Sequence, residues 1–216
     1  MHIPDGFVPP SICIAGYAIS GGVTWYSLRE IERNGGGNQA SIPKSALFTA
    51  VFFIASLIHI PAPPPFTSFH LVLNGMMGTL LGYYAFLAIP IGLFFQAVMF
   101  QHGGMSTLGI NAVIMGLPAI VAYYIFRLRC RVPRKRQFWN KALAFASGAS
   151  AVLLSAAIFA SIAIVTISPE LDAATERTAI YLSLGSYMIQ ALVEGTFTVM
   201  IVSFLEKVKP ELLQVQ

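Results

Sequence analysis

The sequence predicts an all-α membrane protein: a polytopic bundle of about seven transmembrane helices, with the N-terminus outside and the C-terminus in the cytoplasm. Three observations support this prediction. Only 10% of the residues are charged, whereas a soluble domain carries about 25%. Residues 45–126 are a run of 82 without one Asp, Glu, Lys or Arg, and the apolar stretches are continuous rather than alternating, which disfavours a transmembrane barrel. Almost all basic residues fall in the connections on one side of the predicted bundle.

The continuous apolar stretches divide into seven expected spans, since a helix needs about 20 apolar residues to cross the hydrocarbon core. The spans are about 9–28, 45–60, 68–84, 86–101, 107–126, 142–167 and 178–205. Residues 66–101 are short for two crossings, so we expect two short or tilted helices that meet near Tyr84 and Ala85. No repeat or second domain is evident, and 1–216 is expected to be a single membrane domain.

The distribution of Lys and Arg orients the bundle. With the N-terminus outside, the connections 29–44 and 127–141 and the C-terminal tail face the cytoplasm and hold 12 of the 13 basic residues, which leaves Arg177 outside. A six-span bundle that starts inside would leave four basic residues outside. The net charge of +4 is therefore attributed to membrane flanks and anionic lipid, and nucleic-acid binding is not expected.

Several other functional classes lack their sequence signals. Cys13 and Cys130 are far apart and form no CxxC pattern, so neither a disulfide framework nor a zinc site is expected. No G-x-x-x-x-G-K-[ST] motif occurs, so the chain is not expected to bind ATP through a P-loop. The first residues lack the basic start of a secretory signal, and we expect Met1 to be kept.

All four histidines fall on the outer side of the seven-span arrangement. His2 precedes the first span, His59 ends the second, His70 begins the third, and His102 lies between the fourth and fifth. A histidine at a membrane interface is often only an amphipathic residue with one hydrated end, so His59 and His102 keep both interpretations. Asn74 follows His70 by one helical turn, and the two are expected to share a helix face. A functional role is favoured for His70, because polar residues inside bundles usually have one.

The first two residues can form a metal chelate. The α-amine of Met1 and the amide nitrogen and imidazole Nδ1 of His2 close a five-membered and a six-membered ring around one ion. A fourth nitrogen from another histidine would complete a planar set, which is typical of Ni(II) or Cu(II), with low-spin Co(II) also conceivable. The chelate requires an unblocked Met1, and a bulky second residue such as histidine disfavours removal of the initiator methionine.

Three strings then resemble a known family: "MHIPDGF", "SLIHIPAPPPFTSFHLVLNGMMGTLLG" and "FQHGGMSTLGINAVIMGLPAIVAYYIFR". They are similar to the CbiM/NikM family, the substrate-binding membrane components of energy-coupling-factor importers for cobalt and nickel. The last two spans match only in hydropathy and in "EGTFT" at 194–198. The resemblance implies that residues 1–8 fold back into the outer side of the bundle. It also implies that the metal is held by the Met1 amine, the His2 amide and imidazole, and His70.

Other polar residues receive supporting assignments. The resemblance gives His59 and His102 roles beside the ligands or on the entry path, and "QHGG" favours nickel over cobalt. Asn74, Gln101 and Asn111 are candidates to orient the ligands, although a lone amide in a helix more often links two helices.

Four glycines and one buried acid are expected to have structural or functional roles. Gly78 and Gly82 form a G-x-x-x-G pattern that permits close helix approach, and the pair 103–104 permits a tight reversal of the outer loop. Glu194 is the only carboxylate deep within a predicted span, and it could pair with a histidine or face a polar cavity.

The resemblance also implies partners and location. Related proteins work with a transmembrane scaffold subunit, two cytoplasmic ATPases and often a small accessory membrane subunit, in the plasma (inner) membrane of a prokaryote. The chain would then be no enzyme, and Ni(II) or Co(II) would be its transported substrate. Two alternatives stay open: a free-standing secondary divalent-metal transporter, which would need carboxylates for a coupling ion, and a metal-dependent intramembrane enzyme, which would need an open coordination position.

Overall fold

The computed structural model describes residues 2–34, 41–61, 68–131, 137–167 and 172–213, with only the main chain for 59–61 and 68–70. Within these ranges the chain forms seven α-helices and a ribbon of two short strands. The helices are α1 (Pro10–Arg33), α2 (Ser41–Ala55), α3 (Asn74–Leu81), α4 (Tyr84–Phe100), α5 (Leu108–Arg127), α6 (Gln137–Val165) and α7 (Ala173–Val208), and the strands are β1 (His59–Pro61) and β2 (Ser68–His70).

The predicted helical class is confirmed, and membrane-spanning dimensions are found in several helices. Among the described residues, three stretches are long and apolar enough to cross a membrane: Leu108–Arg131, Phe138–Val165 and Ala174–Val208. Helices α2 and α4 are equally apolar but shorter. Helices α1, α6 and α7 extend beyond the predicted spans at one or both ends, because polar residues at their ends continue the helical hydrogen bonding outside the apolar stretch.

The third predicted span is wrong in its first half. We expected a helix from residue 68, but α3 has only eight residues and begins at Asn74. Residues 68–70 form β2, which pairs antiparallel with β1 so that His59 stands opposite His70. Leu73 has φ 53°, a left-handed conformation that separates the strand from the helix. His70 and Asn74 therefore do not share a helix face.

The expected break between the third and fourth helices is confirmed near the predicted position. Helix α3 ends at Leu81 and α4 begins at Tyr84. Gly82, with φ 58°, follows the end of α3 and permits the change of direction. Of the G-x-x-x-G pair, Gly82 thus follows the end of a helix, and Gly78 serves as a contact between helices.

Helix α3 lies at the centre of the bundle, and all eight of its residues are buried. It packs closely because it meets its neighbours through glycines. A Cβ on Gly78 would overlap the carbonyl group of Ala119 in α5, and a Cβ on Gly75 would lie 2.7 Å from the Cα of Gly148 in α6. These contacts bring α3 within backbone distance of both α5 and α6.

Hydrogen bonds define the two ends of the bundle. One end, called the mouth below, carries residues 2–8, the connection 101–107 and the ribbon. At the opposite end, Lys44 Nζ donates to the carbonyl oxygens of Leu80 (2.6 Å) and Leu212 (2.7 Å). The Arg129 guanidinium donates to the carbonyl oxygen of Leu213 at the same end. The last described turn, Pro210–Leu213, is thereby held against the start of α2 and the turn that follows α5.

Substitution of Gly78 tests whether α3 depends on its contact with α5. We expect Gly78→Ala to destabilise the protein by about 1–3 kcal/mol, because the new methyl group must displace backbone atoms. Thermal unfolding of the purified protein would measure the change. Gly22→Ala in α1 is the matched control, since nothing lies within 4 Å of the added Cβ. Equal melting temperatures for the two variants would contradict the packing argument.

Candidate functional site

The N-terminal segment, residues 2–8, is non-helical and lies against the start of α5. Its second residue, Ile3, is completely buried. The Ile3 amide donates to Asn111 Oδ1 (2.8 Å), and the Ile3 carbonyl accepts from Asn111 Nδ2 (3.0 Å) and Thr107 Oγ1 (2.6 Å). One side-chain amide thus pairs with both main-chain groups of Ile3, as a neighbouring strand would. The position of His2, one residue earlier, is fixed by this pairing.

Asp5 makes a second attachment between the segment and the connection 101–107. Its carboxylate accepts from Met105 N (3.1 Å), Ser106 N (2.8 Å) and Ser106 Oγ (2.5 Å). The Ser106 hydroxyl is the largest cause that holds the Asp5 pKa below its usual 3.8, and the two amides add to it. A Cβ on Gly104 would overlap the Asp5 carboxylate, so a glycine is needed there for the segment to approach.

His2 and His102 are brought together in the mouth. Their ring centroids are 4.3 Å apart, with an angle of 59° between the ring planes. The His102 amide donates to the Gln96 carbonyl (3.1 Å), which ties the end of α4 to the connection. Gly103 has φ 86°, as expected for a tight reversal, and a Cβ on it would lie 3.7 Å from His2 Cδ2 and 3.4 Å from Asn111 Nδ2. His2, His102 and Asn111 therefore form one cluster.

Three of the predicted residues are described only partly or not at all. Met1 lies outside the described residues. His59 and His70 are described in their main chains, which face each other across the ribbon, and their side chains lie outside the described part. Among the side chains that are described, no group of three His, Cys, Asp or Glu could hold a metal ion. This finding leaves the predicted set of Met1, His2 and His70 untested.

The remaining amides, Asn74 and Gln101, lie apart from the histidine cluster. Asn74 is buried, and its Nδ2 donates to the Met115 carbonyl (3.0 Å) in α5 and to Ser155 Oγ (2.8 Å) in α6. These bonds link three helices. Gln101 is exposed and ends α4 in a left-handed conformation, with φ 52°. No described hydrogen bond joins either side chain to His2 or His102.

Glu194 is the functional candidate whose partners the sequence did not reveal. It pairs with neither a histidine nor a basic residue in the described part of the chain. Its Oε1 accepts from Val72 N (2.5 Å), and both carboxylate oxygens accept from Leu73 N (3.1 Å each). Asp5 and Thr107 are site residues that no sequence pattern predicted, although Asp5 lies within the "MHIPDGF" string.

Known metal-transport proteins are similar to the chain. The family profile described as "CbiM: Cobalt uptake substrate-specific transmembrane region" matches residues 2–212. A provisionally assigned metal transport protein of Haemophilus influenzae is 38% identical over 129 residues, which are 60% of this chain and 59% of that protein. The fused nickel transport protein NikMN of Rhodobacter capsulatus is 31% identical over 163 residues, 73% of this chain and 46% of that protein.

The fold is also found among solved structures. A crystal structure described as that of a transition metal transporter matches 96% of this chain and 93% of its own, with a TM-score of 0.75 and 22% identity. At this identity the match shows the fold. The chain spans about three fifths of the Haemophilus relative and about half of the Rhodobacter relative.

The attachment through Asp5 predicts a specific response to pH. Since the folded-state pKa of Asp5 is lowered, its stabilising contribution is complete above the ordinary value and is lost as the pH falls through the lower folded value. We therefore expect residues 2–8 to stay attached at pH 7 and pH 5, and to detach in acid below about pH 4. Asp5→Asn should weaken the attachment at pH 7 and pH 5, and should have little effect in acid, where Asp5 itself is protonated.

A nitroxide label at residue 7 would measure this detachment. Phe7 is 50% exposed, so Phe7→Cys in a Cys130→Ser background gives a label whose mobility reports the segment. Asp172→Asn is the control, because the Asp172 carboxylate also has a lowered pKa but caps α7, away from the segment. An Asp5→Asn spectrum as immobile as that of the unsubstituted chain would contradict the role given to Asp5.

Proposed function

The chain belongs to the CbiM family of cobalt uptake transmembrane components, and we propose that it is the metal-capture subunit of an ATP-driven energy-coupling-factor importer for Ni(II) or Co(II). The family resemblance seen in the sequence is confirmed. Members of the family are metal-transport components, so the chain is no enzyme and the intramembrane-enzyme alternative is dropped. The observation that carries the proposal is the attachment of residues 2–8 to α5, which sets His2 beside His102 in the mouth.

The proposed ligand set is the Met1 amine, the His2 amide and imidazole, and the His70 imidazole. Two features of the described main chain support it. Asn111 pairs with both main-chain groups of Ile3 and so holds residue 2 in place. The ribbon places His70 in a strand rather than in a mobile loop. A planar set of four nitrogens suits Ni(II), and the "QHGG" string gives the same preference.

The proposed orientation has the mouth outside the cell. The opposite end carries Lys44 and Arg129, which belong to the connections that hold most of the basic residues. Basic residues flank the cytoplasmic ends of spans, so that end is inside. The protein would then be a multi-pass protein of the plasma (inner) membrane of a prokaryote, with its C-terminus in the cytoplasm.

Seven crossings remain compatible with the short third helix. The eight residues of α3 extend about 12 Å at 1.5 Å per residue. The five residues before the bend at Leu73, 68–72, add about 17 Å when extended. The sum is about the 30 Å thickness of the hydrocarbon core. The third crossing would therefore be half extended chain and half helix, with the extended half toward the mouth.

Transport energy would come from partner subunits. The sequence contains no P-loop, so ATP hydrolysis is assigned to cytoplasmic ATPases that act through a transmembrane scaffold subunit, with a small accessory membrane subunit in some systems. A free-standing secondary transporter is disfavoured. Such a protein needs a carboxylate for the coupling ion, and Glu194 is already engaged by the amides of Val72 and Leu73.

Blocking the N-terminus tests the chelate. We expect acetylation of the α-amine to abolish tight metal binding, because the acetylated nitrogen no longer offers a lone pair to the chelate. Calorimetry with Ni(II) and Co(II) on the purified protein would measure the affinities. Mass spectrometry establishes that Met1 is the first residue, and an unchanged melting temperature shows that the bundle is intact. Unchanged affinity after blocking would reject the chelate.

Substitution of single histidines separates ligands from neighbours. We expect His70→Ala to lose almost as much affinity as the blocked chain, because it removes one of four nitrogens. His102→Ala should weaken binding only partly, by about 10-fold, as is usual for a residue that orients a ligand. The same calorimetric titrations give both values and rank the two metals. A larger loss of affinity in His102→Ala than in His70→Ala would mean that His102 is the ligand and His70 its neighbour.

A further inference from the structure

We propose that Glu194 is a positioning residue for metal capture: its carboxylate reaches from α7 and holds the main chain that directly follows His70. By fixing Val72 and Leu73, it sets the place of residue 70 in the mouth. The inference rests on the proposed function, because it takes His70 as a metal ligand. It gives a role to Glu194, the one buried carboxylate in the described part of the chain.

The described hydrogen bonds of the Glu194 carboxylate are all with main-chain amides of one short stretch. Glu194 is 1% exposed, and its carboxylate accepts from Val72 N at 2.5 Å and from Leu73 N at 3.1 Å. These two amides precede the first turn of α3, where a helix offers no acceptor for its leading N–H groups. An ionised carboxylate accepts from both amides at once, and bonds of this kind are stronger than those between neutral groups.

The stretch that Glu194 holds is bent in a way that needs support. Leu73 is left-handed, with φ 53°, a conformation that is unfavourable for a residue other than glycine. It persists when the surroundings fix it. Upstream, residues 68–70 are fixed by pairing with β1. Glu194 fixes the downstream side, so that residue 70 is held between two attachments.

Glycine contacts bring α7 close enough for Glu194 to reach this stretch. A Cβ on Gly148 of α6 would lie 2.9 Å from the Glu194 carbonyl oxygen and would overlap Thr198 Oγ1. On its other side Gly148 meets Gly75 of α3, as described above. The backbones of α3, α6 and α7 therefore approach one another at a single level, which is the level of the Glu194 side chain.

Glu194→Gln is the variant that tests the proposal. Glutamine keeps the shape but has only one acceptor oxygen and turns an NH2 group toward the amides, so the bond between Leu73 N and the second oxygen is lost. The matched control is Glu206→Gln, a carboxylate in the same helix whose described partner is Asn140 Nδ2 (3.5 Å). Calorimetry with Ni(II), the visible absorption of bound Ni(II), and hydrogen exchange of a peptide covering 68–81 would be measured for each purified chain.

We expect Glu194→Gln to bind Ni(II) about 10- to 100-fold more weakly, the range found when a group that orients a metal ligand is removed. The absorption of bound Ni(II) should shift, because the planar set is distorted. The amides of residues 71–73 should exchange faster, while Glu206→Gln matches the unsubstituted chain in all three measurements. Wild-type affinity and spectrum in Glu194→Gln would overturn the proposal.

A combined variant separates positioning from general stability. In His70→Ala the remaining chelate still binds Ni(II), only weakly. If Glu194 acts through residue 70, adding Glu194→Gln to His70→Ala costs no further affinity. A further loss in the double variant would mean that Glu194 supports the whole bundle, and would also overturn the proposal.

Failure of the proposed function gives a different pattern. If the unsubstituted chain binds neither metal, or if His70→Ala binds metal as tightly as the unsubstituted chain, the proposed ligand set is wrong. The positioning role of Glu194 is then wrong as well. If Glu194→Gln does not fold, Glu194→Asp replaces it, since the charge is kept and the reach is shortened by one methylene. Weaker Ni(II) binding by folded Glu194→Asp supports the proposal, and wild-type affinity overturns it.

Discussion

Main-chain N–H and C=O groups that enter an apolar bundle outside a helix must find partners there, because hydrocarbon offers no water to replace them and each unpaired group costs about 1–3 kcal/mol. Two stretches near the mouth meet this constraint in the same way. Asn111 pairs with both main-chain groups of Ile3, and Glu194 pairs with the amides of Val72 and Leu73. In each case one buried side chain replaces a neighbouring strand, and the shape of the mouth depends on the two together.

This arrangement divides the site between two helices. The N-terminal segment is attached to α5, whereas the stretch after β2 is attached to α7. In both cases the side chain that holds the segment lies more than 100 residues away along the sequence. The helices themselves are placed by backbone contacts at Gly75, Gly78 and Gly148. A capture site built from residues 2 and 70 thus requires that α5 and α7 keep their separation across α3. The proposed ligands thus lie on irregular segments, and the packed helices determine where those segments are held.

Sequence patterns predicted those features that depend on local composition. The fourth and fifth helices begin and end within two residues of the expected spans. His2 and His102, which were expected at one end of the bundle, are adjacent in the mouth. The third span failed because hydropathy does not distinguish a buried strand from a buried helix. The bend at Leu73 is supported by a residue 121 positions away. Asp5 likewise finds its amides 100 residues on, and no local period encodes such pairs.

At the end opposite the mouth, basic side chains bind main-chain carbonyl groups. Lys44 donates to the carbonyl oxygens of Leu80 and Leu212, and Arg129 donates to that of Leu213. Every amino acid has a main-chain carbonyl, so these contacts depend on the course of the backbone and not on the leucine side chains. Substitutions at the three accepting positions should therefore be tolerated as long as the last turn forms, whereas loss of either cation removes its contact. Homologous tails with little residue identity would then share one tertiary contact that sequence alignment alone would overlook.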